Sequence, residues 1–188
     1  MILAIDTSSS TVAVATLDGG RFQAFMPARS PELLPTLRRM VSSSHITKVA
    51  VATGPGSFTG LRVGVSFGVG LAMGLRVPIV PLPTLDLQAA RSDGAVTAVT
   101  DAGRGRYYFK LPGEGPRLGE PADIPTAYDL VGIVADRAPL VAAGHRFTLD
   151  GELRPFAQAV EILLERAREV PYRSLEIEYM QSFSAKRK

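Results

Sequence analysis

Three short clusters in this chain carry residue types that can do chemistry. The first is Ile5-Asp6-Thr7-Ser8-Ser9, an aspartate and three hydroxyls directly after an apolar run. The second, Val99-Thr100-Asp101-Ala102-Gly103-Arg104-Gly105, repeats the order of apolar run, aspartate and small residues. In nucleotide-binding folds such tight turns offer backbone N–H groups to phosphates, and the aspartate holds a metal ion through water. The plainer alternative is that Asp6 and Asp101 only accept hydrogen bonds from the N–H groups of their own turns. The third cluster is Gly54-Pro55-Gly56-Ser57-Phe58-Thr59-Gly60-Leu61-Arg62. It opens a helix, whose N-terminus can hold an anion, but it lacks the Gly-Lys-Ser/Thr of a Walker loop.

Other chemistries lack their parts. A nuclease working through two metal ions needs a carboxylate cluster; Asp6 and Glu32 could supply two, but the strand before the glycine turn ends in Thr53-Gly54 rather than an acid. His45 and His145 have no ligand-spaced neighbours and are expected at the surface, so no metal site is expected. No glycine-flanked serine elbow is present for a Ser/His/Asp triad. The absence of cysteine excludes disulfides, thiol catalysis and thiolate metal ligation.

The elements that must position these clusters are legible in the apolar periodicity. Residues 1–6 form a nearly continuous apolar strand, residues 11–17 and 21–26 alternate, and Asp18-Gly19-Gly20 is a hairpin turn between them. Ser30-Pro31-Glu32 starts a helix with Leu33, Leu34, Leu37, Met40 and Val41 on one face and Arg38 and Arg39 on the other. A β-branched run over 49–53 leads through the glycine turn into a second helix. Residues 77–82, with Pro78 and Pro81, read as an edge strand or a strand end, and Thr84 caps a short helix to Arg91.

In the second helix Gly60, Gly64, Gly68 and Ala72 recur every fourth residue in one stripe. Four glycines, at 60, 64, 68 and 70, cost roughly 3 to 4 kcal/mol against alanine. Close approach of another backbone along the stripe is the favoured offset, with a ligand at the glycine turn as the second option. Val63, Phe67 and Gly70 then face outward as a docking patch, unless every apolar face of the helix is internal core.

Ser92-Asp93-Gly94 marks a boundary, giving segments 1–94 and 95–188. The second half restarts the pattern: strands at 95–100 and 106–111 around a turn at 101–105, a Pro- and Gly-rich loop at 112–125, a short helix at 126–136, a strand at 140–143 and a helix at 156–168. Leu140-Val141-Ala142-Ala143-Gly144 is the candidate nucleotide-side loop. The whole is expected to be α/β, the second half a shortened copy of the first.

With 188 residues, 46% hydrophobic and 21% charged, the chain has the composition of a globular protein of one domain or two small ones. The net charge of +3 is matched by the Lys186-Arg187-Lys188 tail and marks no basic stripe for nucleic acid. The apolar N-terminus lacks the basic region of a signal peptide, and the apolar stretch 61–75 is too short to span a bilayer, so a cytoplasmic protein with no membrane contact is expected.

The paired strand–Asp–turn units resemble the actin, Hsp70 and sugar-kinase superfamily, a duplicated ribonuclease-H-like fold. Ile2-Leu3-Ala4-Ile5-Asp6-Thr7-Ser8, Ser30 with Leu33-Leu34-Pro35, the nonapeptide from Gly54 to Arg62, and Asp101-Ala102-Gly103-Arg104-Gly105 with Tyr107 together resemble the TsaB (YeaZ) family. The chain departs from that family at Arg29, where histidine is common, in a shorter second half, and after Pro171-Tyr172-Arg173.

The resemblance implies a non-catalytic scaffold and activator in making threonylcarbamoyladenosine at position 37 of tRNAs. The catalytic partner would be TsaD, with the ATPase TsaE joining and tRNA met only through the complex. It implies docking, on TsaD or on a second copy in a homodimer, through Leu33, Leu34, Leu37 and Met40 of the first helix and Thr59, Arg62, Val63, Ser66, Phe67 and Gly70 of the second. Asp6, Thr7, Ser8, Asp101, Gly103 and Gly105 would be vestigial phosphate-loop positions. No cofactor would be bound by this chain alone, with ATP or ADP possible at the joint interface. The competing expectation is a small ATP-dependent kinase or ATPase of the same superfamily, or a peptidase-like protein.

Overall fold

Two β-sheets, each opening with an antiparallel meander, organise the chain. The computed structural model describes residues 1–18, 21–28, 30–42 and 45–180, without the side chains of Leu34, Val41 and Ser42. The expected turn at Gly19-Gly20, the departure at Arg29 and the basic tail lie outside the described residues.

The first sheet has the order β3-β2-β1-β4-β5. It comprises β1 (Ile2–Asp6), β2 (Thr11–Leu17), β3 (Arg21–Pro27), β4 (Lys48–Gly54) and β5 (Ile79–Pro83). β1, β2 and β3 pair antiparallel, while β4 pairs parallel to both β1 and β5. Side chains alternate between the faces of each strand, and the alternation here sorts by size. Leu3, Ile5, Val49 and Val51 pack in one core, and Ala4, Ala13, Ala15 and Ala50 in another. The large-residue face is covered by α1 (Leu33–Ser42) and α2 (Phe58–Leu75). The alanine face leaves room for α3 (Thr84–Ala89) and α5 (Phe156–Leu164), with Leu87, Phe156 and Val160 filling it. The proline-bearing β5 is an edge strand, as its sequence predicts.

The second sheet, of order β8-β7-β6-β9, repeats the first without its fifth strand. It contains β6 (Thr97–Gly103), β7 (Arg106–Lys110), β8 (Arg117–Gly119) and β9 (Leu130–Val131), with the last parallel to β6. The fold is therefore α/β, with two units of ribonuclease-H-like strand order, the second shortened. After the second sheet the chain returns: α5 packs on the alanine face, and the Val170 N–H donates to Ile79 O at the β5 edge.

Several second-half expectations are corrected. The loop expected at 112–125 contains strand β8, and the helix expected at 126–136 is an irregular stretch around β9. The strand expected at 140–143 belongs to α4 (Ala138–Ala142), started by Pro139 in its first turn. Leu140 is fully buried in the second unit's own core, while residues 141–144 are exposed at the end of α4. Thr84 does not cap α3; its hydroxyl accepts the Gly54 N–H at 3.1 Å.

α2 extends beyond the apolar stretch 61–75, and at 18 residues it has the length and composition of a helix able to cross a membrane. Leu61, Gly64, Val65, Gly68 and Ala72 of it are buried. A methyl group on Gly60 would lie 2.0 Å from Thr7 O, on Gly64 2.1 Å from Thr7 Oγ1, and on Gly68 2.2 Å from Val51 Cγ1. The stripe thus lets the helix backbone rest on β1 and β4, as expected of close packing. Ser57 Oγ caps the helix by accepting the Gly60 N–H, and Arg76 closes it in the left-handed conformation.

Candidate functional site

The carboxy ends of β1 and β4 and the turn after β6 converge on one cleft of about 790 Å³. Its walls are residues 7–10, residues 56–60, residues 101–103, Tyr108 and the late segment Glu178-Tyr179. Thr7, Ser8, Asp101 and Gly103, expected as phosphate-loop positions, are brought together here across the gap between the two sheets. Asp6 is 2% exposed behind the turn, and Gly105 lies outside the cleft lining, at φ +72° in the β6–β7 turn.

Three N–H groups around the cleft are committed within the chain. Asp6 accepts the Ser8 N–H at 2.8 Å, Ser8 O accepts the Ser57 N–H at 2.6 Å, and Ser57 Oγ accepts the Gly60 N–H at 3.2 Å. Thr7 Oγ1 donates to Gly60 O at 2.7 Å, tying the first turn to α2. Asp101 accepts the Ala135 N–H at 2.7 Å. Both aspartates thus satisfy backbone donors, one in its own turn and one across to the segment after β9. Ser8 Oγ is buried against Gly56, without a hydrogen-bond partner among the described residues.

Burial pushes the Asp6 carboxyl above its ordinary value, against the opposing Ser8 hydrogen bond. Asp101 is likewise raised, by burial first and by Asp136 in addition, with the Ala135 hydrogen bond opposing. Glu178 is raised by burial and by Asp86, while Lys110 opposes. Hydroxyls, glycines and the acids Asp101 and Glu178 share the cleft lining with Val12, Leu33, Phe58, Val63, Tyr108 and Tyr179. No lysine or arginine is among its described lining residues, a poor setting for a polyphosphate without added cations. Among the described residues, no group of three His, Cys, Asp or Glu is placed to hold a metal ion. Glu32 is exposed at the start of α1 and joins no carboxylate cluster among them. His45 is exposed as expected, whereas His145 is not: it is 4% exposed, with Nε2 2.9 Å from Pro121 O.

A second feature lies beside the cleft, on the outer surface of α2. Thr59, Arg62, Val63, Ser66 and Gly70 are all exposed there, and Phe67 is half-buried against the first core. Met73, 55% exposed, extends this face, and sequence reasoning did not single it out. Leu33 lines the cleft rim with Val63, while the side chain of Leu34 lies outside the described residues.

Leu37 and Met40 require a correction. They are 4% and 6% exposed, directed into the first core with Leu3, Val12 and Val65, and so are not a docking surface. Their periodicity marks the apolar face of α1, and that face is covered by the chain's own sheet. Arg62 is engaged from its side of α2: its guanidinium lies 3.9 Å over the Phe58 ring, and its Nε donates to the Tyr179 hydroxyl at 3.1 Å.

Comparison with known proteins places this geometry in a family. A family model described as TsaD, tRNA N6-adenosine threonylcarbamoyltransferase, matches residues 33–134, which include α1, α2 and the β6–β7 turn. The tRNA threonylcarbamoyladenosine biosynthesis protein TsaB of Bacillus subtilis is 33% identical over 123 residues, 58% of this chain and 54% of that protein. TsaB of Escherichia coli is 34% identical over 122 residues, 57% of this chain and 53% of that protein. The matched chain thus spans about half the length of these curated relatives. The solved structure of YeaZ from Pseudomonas aeruginosa superposes with a TM-score of 0.73 at 26% identity, covering 95% of this chain and 99% of that one. The glycine helix on a ribonuclease-H-like sheet, the paired aspartate turns and these matches together show that the chain belongs to the TsaB (YeaZ) family of tRNA threonylcarbamoyladenosine biosynthesis proteins.

Proposed function

We propose that this chain is a non-catalytic scaffold and activator subunit in the synthesis of threonylcarbamoyladenosine at position 37 of tRNA, docking on a catalytic TsaD-type subunit through the outer face of α2. The observation that carries it is that face: Val63 is 53% and Met73 55% exposed, with Ser66 and Gly70 between them. Contiguous apolar surface flanked by small residues on a helix suits close pairing with another helix. Leu33 at the cleft rim adds to it, and the buried Leu37 and Met40 stiffen α1 from behind. A second copy of the chain would pair through the same face when the partner is absent.

The non-catalytic role is supported by the two aspartates, each of which accepts a backbone N–H. In this scheme ATP or ADP belongs to the joint interface, TsaE joins the assembly, tRNA is met through the complex, and the work is done in the cytoplasm.

The test is co-purification of the chain with the TsaD-family protein of its own organism, comparing wild type with Val63→Glu, each checked for folding by circular dichroism. Wild-type binding with a folded, non-binding variant is the expected result. Equal binding by both would remove α2 as the docking face; ATP turnover by the isolated chain would instead favour a small enzyme of the same fold.

A further inference from the structure

The segment 172–180 runs the length of α2 in the reverse direction. At one end the Tyr172 hydroxyl lies 3.4 Å from Ala72 O and donates to Val77 O at 2.8 Å. At the other, Tyr179 packs on Phe58 with ring centroids 5.4 Å apart and accepts from Arg62. Tyr172–Ser174 form a short 3-10 turn, and the chain leaves it in extended conformation at Leu175. The helix from Phe58 to Ala72 rises about 21 Å.

Its seat is built into the glycine turn. The Glu178 N–H donates to Thr53 O at 2.8 Å, and Glu178 O sits 2.8 Å from where a methyl group on Gly54 would lie. Leu175 and Ile177 pack on the first core, Glu176 is exposed, and Glu178 lines the cleft. Between residues 174 and 178 the described backbone bonds to the sheet reduce to the one from Glu178. A segment held at its two ends by aromatic residues, with few backbone bonds between, belongs to the low-stability part of a fold.

We propose that residues 172–180 are a displaceable latch that competes with the docking partner for Phe58 and Arg62 at the N-terminal end of α2. The inference rests on the docking reading above. Arg62 and Phe58 adjoin Thr59 and Val63 on the helix surface, and Arg62 lies 3.9 Å over the Phe58 ring and 5.8 Å from the centre of the Tyr179 ring, which itself packs on Phe58. A partner helix that covers Val63 and engages Arg62 meets Tyr179 in its path. Seating then requires Tyr179 to lift, and the partner's apparent affinity carries the cost of opening the latch.

The experiment is calorimetric titration of the full chain with the TsaD-family protein of its organism, for wild type, Tyr179→Ala and Val63→Glu. Tyr179 is 45% exposed, so its truncation leaves the core intact. Loss of an exposed ring contact of this kind is expected to tighten partner binding about two- to fivefold. Amide exchange of residues 175–180 is expected to speed up in the wild-type complex relative to the free chain. Unchanged or weaker binding by Tyr179→Ala, or slower exchange of the segment in the complex, overturns the latch even when Val63→Glu abolishes binding. Wild-type affinity in Val63→Glu overturns the docking reading itself, and the latch with it.

Discussion

Replacing Gly64 by alanine places a methyl carbon 2.1 Å from Thr7 Oγ1 and 3.2 Å from Thr7 Cβ, well inside van der Waals contact. Thr7 is 5% exposed, and its hydroxyl is held by donation to Gly60 O at 2.7 Å. The clash is relieved in one of two ways. Either α2 lifts from the sheet, or Thr7 rotates and its hydrogen bond is lost. Overpacking of this kind costs about 1 to 3 kcal/mol and a lost hydrogen bond about 0.5 to 1.5 kcal/mol, against a propensity gain of about 0.8 to 1 kcal/mol. The net is a destabilisation of roughly 1 to 3 kcal/mol, or about 2 to 12 °C in Tm for a chain of this size. Gly70 lies in the same helix, and a methyl group there would meet no heavy atom of the described residues within 4 Å. At that position only the propensity gain operates, and Gly70→Ala should raise Tm by about 2 to 4 °C. Thermal and urea unfolding followed by circular dichroism, at two protein concentrations to separate self-association, measures both. If Gly64→Ala stabilises the protein as Gly70→Ala does, the glycine stripe is not in contact with β1 and the packing argument fails.

Leu37→Ala should cost about 2 to 5 kcal/mol in urea unfolding, as for a core leucine; a cost under about 1 kcal/mol would return Leu37 to the surface of α1. Asp6→Asn keeps an oxygen for the Ser8 N–H but removes the buried charge. Burial raises the folded Asp6 above its ordinary 3.8, so the native state holds the proton more tightly and the wild type loses stability as pH rises through that window. The Asn variant should therefore gain on the wild type as pH rises from the ordinary carboxylate value of 3.8 through the raised Asp6 value in urea unfolding, and parallel pH profiles would exclude a raised Asp6. Val63→Glu should abolish capture of the TsaD-family partner while the chain stays folded, because Val63 is 53% exposed. Tyr179→Ala should strengthen that capture.

The first sheet and its helices were legible because each strand there is five to seven residues long and carries a full pattern of burial. β8 and β9, of three and two residues, are too short for any periodicity, and their pairing partners in β6 and β7 decide their state. Residues 140–143 form a short apolar run that suits strand or helix alike, and Pro139 with the core around Leu140 settles it as a helix. The cleft was half legible. The two aspartate turns stand out as a repeated pattern, but Glu178 and Tyr179 reach the cleft from more than a hundred residues beyond the glycine turn. Nothing in their local composition announces that contact.

By itself, then, the sequence determined the α/β class, the paired turns, the glycine helix and the need for a close neighbour along its stripe, because periodicity and steric cost are local properties. Only the tertiary structure decided what each face meets. It turned Leu37 and Met40 inward to the sheet, left Val63 and Met73 in solvent, buried His145, and laid residues 172–180 along α2. An apolar face records that something covers it; what covers it is set by the return path of the rest of the chain.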